Sequence, residues 1–301
     1  MIMVRLTIFS LALFSSFLGF GQFAKHNTWS YSLYLGGSNM LSDLGGANSN
    51  GSSGVKDLDF QTFRAAVGGG IHYHVRNVSI GANVIATHLV GDDAFTDLAS
   101  RSQRNLSVRT DLIEANILLE VAPFPSIPVL DRMYVNGGVG GAYFQPKAEY
   151  NDEWIKLRPL GTEGQNYIDG MQPYSKVALV LPFGVGYKFP LGSFSTLSLD
   201  LSMRKSFTDY LDDVSTVYAD QASIAGAGGE IAAALADRSV NGYAVGSQRG
   251  GSESNDTYFF VGLKFQRAIG AHKLSSCTNF DDPNRKIRKR RKTNNSKRFY
   301  L

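Results

Sequence analysis

Residues 176–204 read KVALVLPFGVGYKFPLGSFSTLSLDLSMR. In the first half Val177, Leu179, Leu181, Phe183, Val185 and Tyr187 alternate with Lys176, Gly184, Gly186 and Lys188. In the second, Leu197, Leu199, Leu201 and Met203 alternate with Ser198, Asp200, Ser202 and Arg204. A period of two predicts strands with one apolar face, and the short Pro190–Ser193 link predicts that they pair antiparallel.

Six further segments carry the same alternation. Upstream they are Trp29–Leu35, Phe60–Tyr73, Val78–His88, Leu106–Val121 and the glycine-rich Met133–Phe144, and downstream Tyr258–Phe265. In the fourth strand the phase slips near Asp111–Ile113, which predicts a bulge. Eight strands with one charged and one apolar face fit either a soluble β domain or a membrane barrel. In the second case Arg64, Glu114, Glu120, Lys188, Asp200, Arg204 and Lys264 face the lumen and pair there.

Connection lengths separate the two. Links after strands two, four and six are short: His74–Asn77, Pro123–Asp131 and Pro190–Ser193. Links after strands one, three, five and seven are long, covering about 42–58, 90–105, 146–174 and 209–256. Strict alternation of short turns and long loops is the habit of outer-membrane barrels, whose turns are periplasmic and whose loops face outward. The expected fold is therefore all-β, an eight-stranded antiparallel transmembrane β-barrel over residues 22–268. Eight strands leave a lumen filled by side chains, and the inward glycines suit that narrow interior, so a general porin is not expected.

The ends of the chain agree with export. Arg5, the apolar run Leu6–Phe20 and the small residues Gly19 and Gly21 form a signal-peptide pattern over residues 1–21. No later run reaches the roughly 18 apolar residues of a membrane helix. The +4 net charge belongs to the tail: residues 281–301 hold nine Lys or Arg and two Asp. Residues 269–301 are expected to lie in the periplasm and to stay disordered without a partner. They carry the single cysteine, Cys277, and the run Arg285, Lys286, Arg288, Lys289, Arg290, Arg291 and Lys292. These are the candidate partner-binding residues. Nucleic acid is excluded by export, whereas an acidic protein surface, lipid headgroups or peptidoglycan carboxylates suit the charge. One cysteine leaves either a free thiol or an intermolecular link.

Chemistry-bearing motifs are sparse. His72 and His74 share one lumenal face, as two metal ligands would, but lumenal histidines more often bond to polar neighbours. His88, at the outer end of the third strand, has Ser102 and Ser107 across the next loop, the elements of a rim hydrolase without a motif to fix a nucleophile. Asp209, Asp212, Asp213 and Asp220 could hold calcium but lack a calcium loop's glycine punctuation, so a solvated or lipopolysaccharide-facing loop is expected. The Gly226–Asp237 stretch predicts a short helix held by packing over the barrel mouth. No phosphate loop, zinc spacing or triad motif is present, so no cofactor, metal or enzyme activity is expected.

Several stretches carry a family resemblance: Gly36–Asn39 with Asp43–Gly45, Arg104–Ser107, Thr208–Ser215, Leu235–Ser239 and Arg249-Gly250. In these the chain resembles the PorG-like outer-membrane barrels of Bacteroidetes, which are associated with the type IX secretion system. Met40–Ser42 departs from the family, which often has an aromatic residue and a glycine there. The resemblance implies a non-enzymatic barrel that anchors a periplasmic ring of lipoprotein and partner subunits. The tail would then be the docking element, with Cys277 available for a covalent link. Outer-membrane lipids and lipopolysaccharide are the surroundings it implies. The other reading is a stand-alone surface barrel whose loops bind an extracellular ligand or which stabilises the membrane.

Overall fold

The structure, a computed structural model, describes residues 28–44, 62–95, 99–168, 171–192, 194–252 and 254–269. The expected signal peptide, Cys277 and the basic run from Arg285 to Lys292 lie outside the described residues.

Eight long strands form the body: β1 Thr28–Leu41, β2 Arg64–Val75, β3 Val78–Asp92, β4 Ser107–Val121, β5 Met133–Tyr150, β7 Val177–Pro190, β8 Ser195–Ser206 and β9 Thr257–Ala268. A short β6, Glu153–Lys156, folds back on the outer end of β5. Each long strand pairs antiparallel with its neighbours in sequence, and β1 pairs with β9 from Ser30↔Ala268 to Leu41↔Thr257. The sheet therefore closes into an up-and-down barrel with no free edge among the eight. Short helices α1 Ala99–Arg104, α2 Gln221–Gly228 and α3 Glu230–Ala236 lie in the long connections. No described helix is long and apolar enough to cross a membrane, and in this fold the strands do the crossing.

Burial shows which face is which. Leu35 is 65% exposed while its neighbour Tyr34 is 9% exposed, and the alternation repeats along all eight strands. The aliphatic side chains point outward; Glu114, Glu120, Asp200, Arg204 and Lys264 are buried inside. That inversion places a protein in lipid, because a large exposed apolar band is unfavourable in water. Two residues show how the lumen is fitted. A Cβ at Gly186 would lie 2.2 Å from the Tyr134 ring, and one at Gly81 would lie 2.2 Å from His72. These glycines make room for large inward side chains on the adjacent strand.

Two expectations need correction. The strands run further outward than their alternation suggests: β1 continues through Gly36–Leu41, β3 to Asp92 and β5 to Tyr150. At that height the contrast between faces fades, because Ser38, Asn39 and Met40 are all buried. The expected bulge in β4 is absent. Its pairing with β3 runs without interruption from Val78↔Val121 to Asp92↔Ser107, and the pairing with β5 is equally regular. The slipped phase has another cause: inward-facing Leu112, 1% exposed, belongs to an apolar layer in the upper lumen.

Candidate functional site: a loop cap over a filled barrel

From the short-turn end upward, the lumen holds three layers. In the lowest, Glu120 takes Lys264 at 2.8 Å and lies 3.7 Å from Lys188; both ammonium groups sit over the Tyr134 ring, at 4.7 and 4.8 Å. Above it, the Tyr134 hydroxyl donates to Asp200 (2.6 Å), Arg204 meets Glu114 (3.3 Å), and the Tyr258 hydroxyl donates to Glu114 (2.7 Å). The highest layer is apolar, with Met40, Leu89, Leu112, Phe144, Val180 and Phe260 packed together. Charges brought into so narrow a space are tolerated because each finds a partner.

His72 and His74 face the lowest layer as expected. Each ring is hydrogen-bonded to a β1 serine: His72 Nε2 to Ser32 Oγ at 2.9 Å, and His74 Nε2 to Ser30 Oγ at 2.7 Å. His88 points outward and bonds through Nδ1 to Asp111 (2.6 Å), which completes a histidine–acid pair. Its Nε2, however, accepts from Arg109 (3.0 Å). Ser107 lies four positions along β4 from Asp111 and accepts from Arg238 (3.0 Å), so its hydroxyl is engaged away from the His88–Asp111 pair.

The long loops fold together over the outer mouth. Arg104, at the end of α1, donates to Asp93 (2.8 Å), to the Asp43 carbonyl (2.8 Å) and to the Arg249 carbonyl. Arg249 in turn donates to Glu163 (2.9 Å) and to the carbonyls of Asp213 (2.6 Å) and Ala236 (3.2 Å). Glu163 also accepts from the Ser215 and Thr216 amides at 2.8 and 3.1 Å. Leu235 of α3 is buried with Leu44, Leu106, Val108, Leu157 and Val214. The helix expected over the mouth is therefore present, as two short helices held by packing. Stretches separated by some two hundred positions meet here, Asp43 and Arg104 with Asp213, Ala236 and Arg249.

The acidic stretch departs most from expectation. Instead of being solvated, Asp209, Asp212 and Asp213 are all buried beneath the cap, at 8% exposed or less. Only Asp220 is at the surface, where it caps α2 by accepting from the Ser223 amide (2.9 Å). Burial pushes the Asp209 carboxyl up to about 7, helped by Asp43 and Glu163. It pushes Asp213 up to about 6 against the pull of Arg249. Asp212 and Asp256 are raised well above the carboxylate range, by burial first in both, then by Asp43 at Asp212 and by Asp212, Asp209 and Asp43 at Asp256. Both Asp209 oxygens and Asp212 Oδ2 lack a hydrogen-bond partner of ordinary geometry. No three metal-ligating side chains converge among the described residues. Burial and the neighbouring carboxylates together favour the protonated form of these groups.

No family model matches this chain, and no curated protein does. Solved structures do. Neisserial surface protein A is 5% identical over 81% of this chain and 96% of its own, with a TM-score of 0.33. Ail, the attachment invasion locus protein of Yersinia pestis, solved with the heparin analogue sucrose octasulfate, is 11% identical over 81% and 99%, with a TM-score of 0.36. A major outer membrane protein from Thermus thermophilus is 12% identical over 80% and 99%, with a TM-score of 0.35.

Proposed function

We propose that this chain is an outer-membrane barrel that serves as a mount for a periplasmic assembly of the type IX secretion machinery, engaged through residues 269–301. The observation that carries this is where the barrel ends. Ala268 pairs with Ser30 beside the Leu191–Phe194 turn, at the end opposite the cap. The last described residue, Ile269, therefore stands on the short-turn side, and the nine Lys or Arg of residues 281–301 follow it in sequence. The filled lumen and closed mouth support a passive mount rather than a conduit. The partner is a periplasmic lipoprotein with its associated subunits, met through an acidic face. The resemblance of the cap segments to PorG-like barrels supports the choice of machinery.

Deleting residues 275–301 tests the proposal. Loss of export while the barrel remains inserted and heat-modifiable is expected, and unchanged export would sink it. Membranes run on non-reducing gels should also show a high-mass band that disappears in Cys277→Ser; its absence under oxidising conditions removes the covalent link from the proposal. A second reading, a stand-alone surface barrel, is favoured by one feature, the packed and ordered cap. Unchanged export after the deletion, combined with a surface-ligand defect after replacement of residues 221–236, would select it.

A further inference from the structure

Outward-facing polar side chains are rare on this barrel, and most of them gather in one place. On the outer surface of β3–β6, Arg109, Lys147 and Lys156 stand beside Asp111 and Glu149. Lys147 donates to Asp111, Arg109 lies 3.7 Å from the same carboxylate, and the Arg109 guanidinium is 5.4 Å from the centre of the Trp154 ring. Asp111 thus holds Lys147, Arg109 and the His88 ring together on the lipid-facing side, with an indole next to Arg109. Elsewhere the outward faces of the described strands carry single cations, Lys205 and Arg267, at opposite ends of the β8–β9 pair.

Lower on the same wall, the surface is concave. A groove of about 580 Å³ runs across β2–β5, with small Gly69, Ala82 and Ala115 as its floor and Ile71, Val84 and Ile117 as its walls. The three wall side chains are each about half exposed, so the groove opens outward toward lipid. Arg109 lies six positions up β4 from Ala115. At ~3.4 Å per residue and a strand tilt of about 40°, that places the cations ~15 Å above the groove. Half the hydrocarbon core is about the same length, so a lipid with its chains in the groove has its headgroup at Arg109 and Lys147.

We infer that β2–β6 form a seat for one phosphorylated outer-leaflet glycolipid, with lipid A phosphates at Arg109, Lys147 and Lys156 and acyl chains over Gly69, Ala82 and Ala115. The assignment rests on the membrane reading, with the long loops outward. Charge selects the occupant: the three cations outnumber the Asp111 and Glu149 carboxylates beside them, so the patch keeps a net positive charge that a lipid A phosphate matches and a zwitterionic phospholipid, with no net anion, does not. Trp154 sits at the depth where an indole prefers the interface. Asp111 positions the cations and keeps them from folding back along the strand.

The test uses the full chain in bilayer discs of phosphatidylcholine doped with bisphosphorylated lipid A, dephosphorylated lipid A or phosphatidylglycerol. Lipid retained per barrel after a detergent wash is counted by mass spectrometry, and Trp154 emission is followed in Trp29→Phe. Bisphosphorylated lipid A is expected to be retained about tenfold or more over the dephosphorylated form. Arg109→Gln with Lys147→Gln abolishes that preference, and Ala115→Leu, which fills the groove, weakens retention with the cations intact. Equal retention of phosphatidylglycerol, retention unaffected by the double variant, or a barrel dimer crosslinked through this face would overturn the seat. Heat-modifiable mobility scores insertion separately: a chain that inserts without choosing its lipid overturns the seat alone. One that never inserts overturns the membrane reading and the seat with it.

Discussion

Arg249 donates to the Glu163 carboxylate and to the Asp213 and Ala236 carbonyls while only 2% exposed, so three loop segments depend on one guanidinium. Truncating it strands Glu163 without its cation, which costs about 3–5 kcal/mol for a buried pair. Arg249→Ala is therefore expected to open the cap and expose residues 207–256 to protease, while the barrel below stays heat-modifiable. Lysine at this position should rescue only in part, since one ammonium cannot reach both carbonyls and the carboxylate. The neighbouring carboxylates add a pH dependence. Asp209 and Asp213 are raised to about 7 and about 6 in the closed cap, and Asp212 lies above the ordinary range as well. Between pH ~4 and pH ~7 the closed cap thus holds more protons than open, solvated loops would. Raising the pH through that window weakens closure. Amide exchange in residues 207–216 should be slower at pH 5 than at pH 8 once intrinsic rates are corrected for, and Asp212→Asn should flatten the difference. A cap equally protected at both values, or better protected at pH 8, would disprove the proton-holding role. None of this was legible in the sequence. A run such as Asp209–Asp213 looks solvated, and only the tertiary cover supplied by Leu235 and Arg249 buries it.

At the scale of elements, what was legible was whatever lipid imposes. A strand facing hydrocarbon on one side and a packed lumen on the other must alternate, so Val177–Tyr187 and Leu197–Met203 announce themselves. Once the strands rise above the lipid, both faces meet polar or packed surroundings and the pattern stops, although the pairing continues to Asp92 and Tyr150. The β5–β6 hairpin shows a signal that was present but submerged in a long connection. Asn151 and Asp152 both take positive φ, 51° and 64°, in the two-residue turn joining Tyr150 to Glu153. Two such residues in sequence are a known hairpin signature. The rim seat depends on that hairpin, because it brings Trp154 and Lys156 beside Arg109 and Lys147. The helices α2 and α3 depend on packing in a different way, being too short to persist alone. Leu235→Ala removes a side chain only 2% exposed and is expected to cost the cap about 2–4 kcal/mol. Protease nicking near residues 221–236, with unchanged barrel mobility, would show it; an intact cap would mean that α3 is held elsewhere.

For the whole molecule, the question is what closes the barrel, since the lumen and the cap are two barriers in series. The lumenal barrier comes from geometry: eight strands enclose a space that side chains can fill, and here Tyr134, Arg204, Tyr258, Phe144 and Phe260 are all fully buried within it. The cap covers only the outer mouth, and apart from the apolar layer it shares few atoms with the ion pairs below. If the side chains are the main seal, replacing residues 207–256 with a short Gly/Ser linker leaves the barrel folded and still closed to ions in planar bilayers. Steady conductance from that variant would assign closure to the cap instead. The complementary variant, Arg204→Ala with Tyr134→Ala, empties the middle of the lumen beneath an intact cap. It also leaves Glu114 and Asp200 without their main partners, so it should insert less readily and conduct in brief, unstable openings. If the chain is the mount proposed above, it needs the first barrier for rigidity and the second only for what meets its outer face. The linker variant is thus expected to retain export, and the tail deletion to lose it, from barrels that both remain inserted.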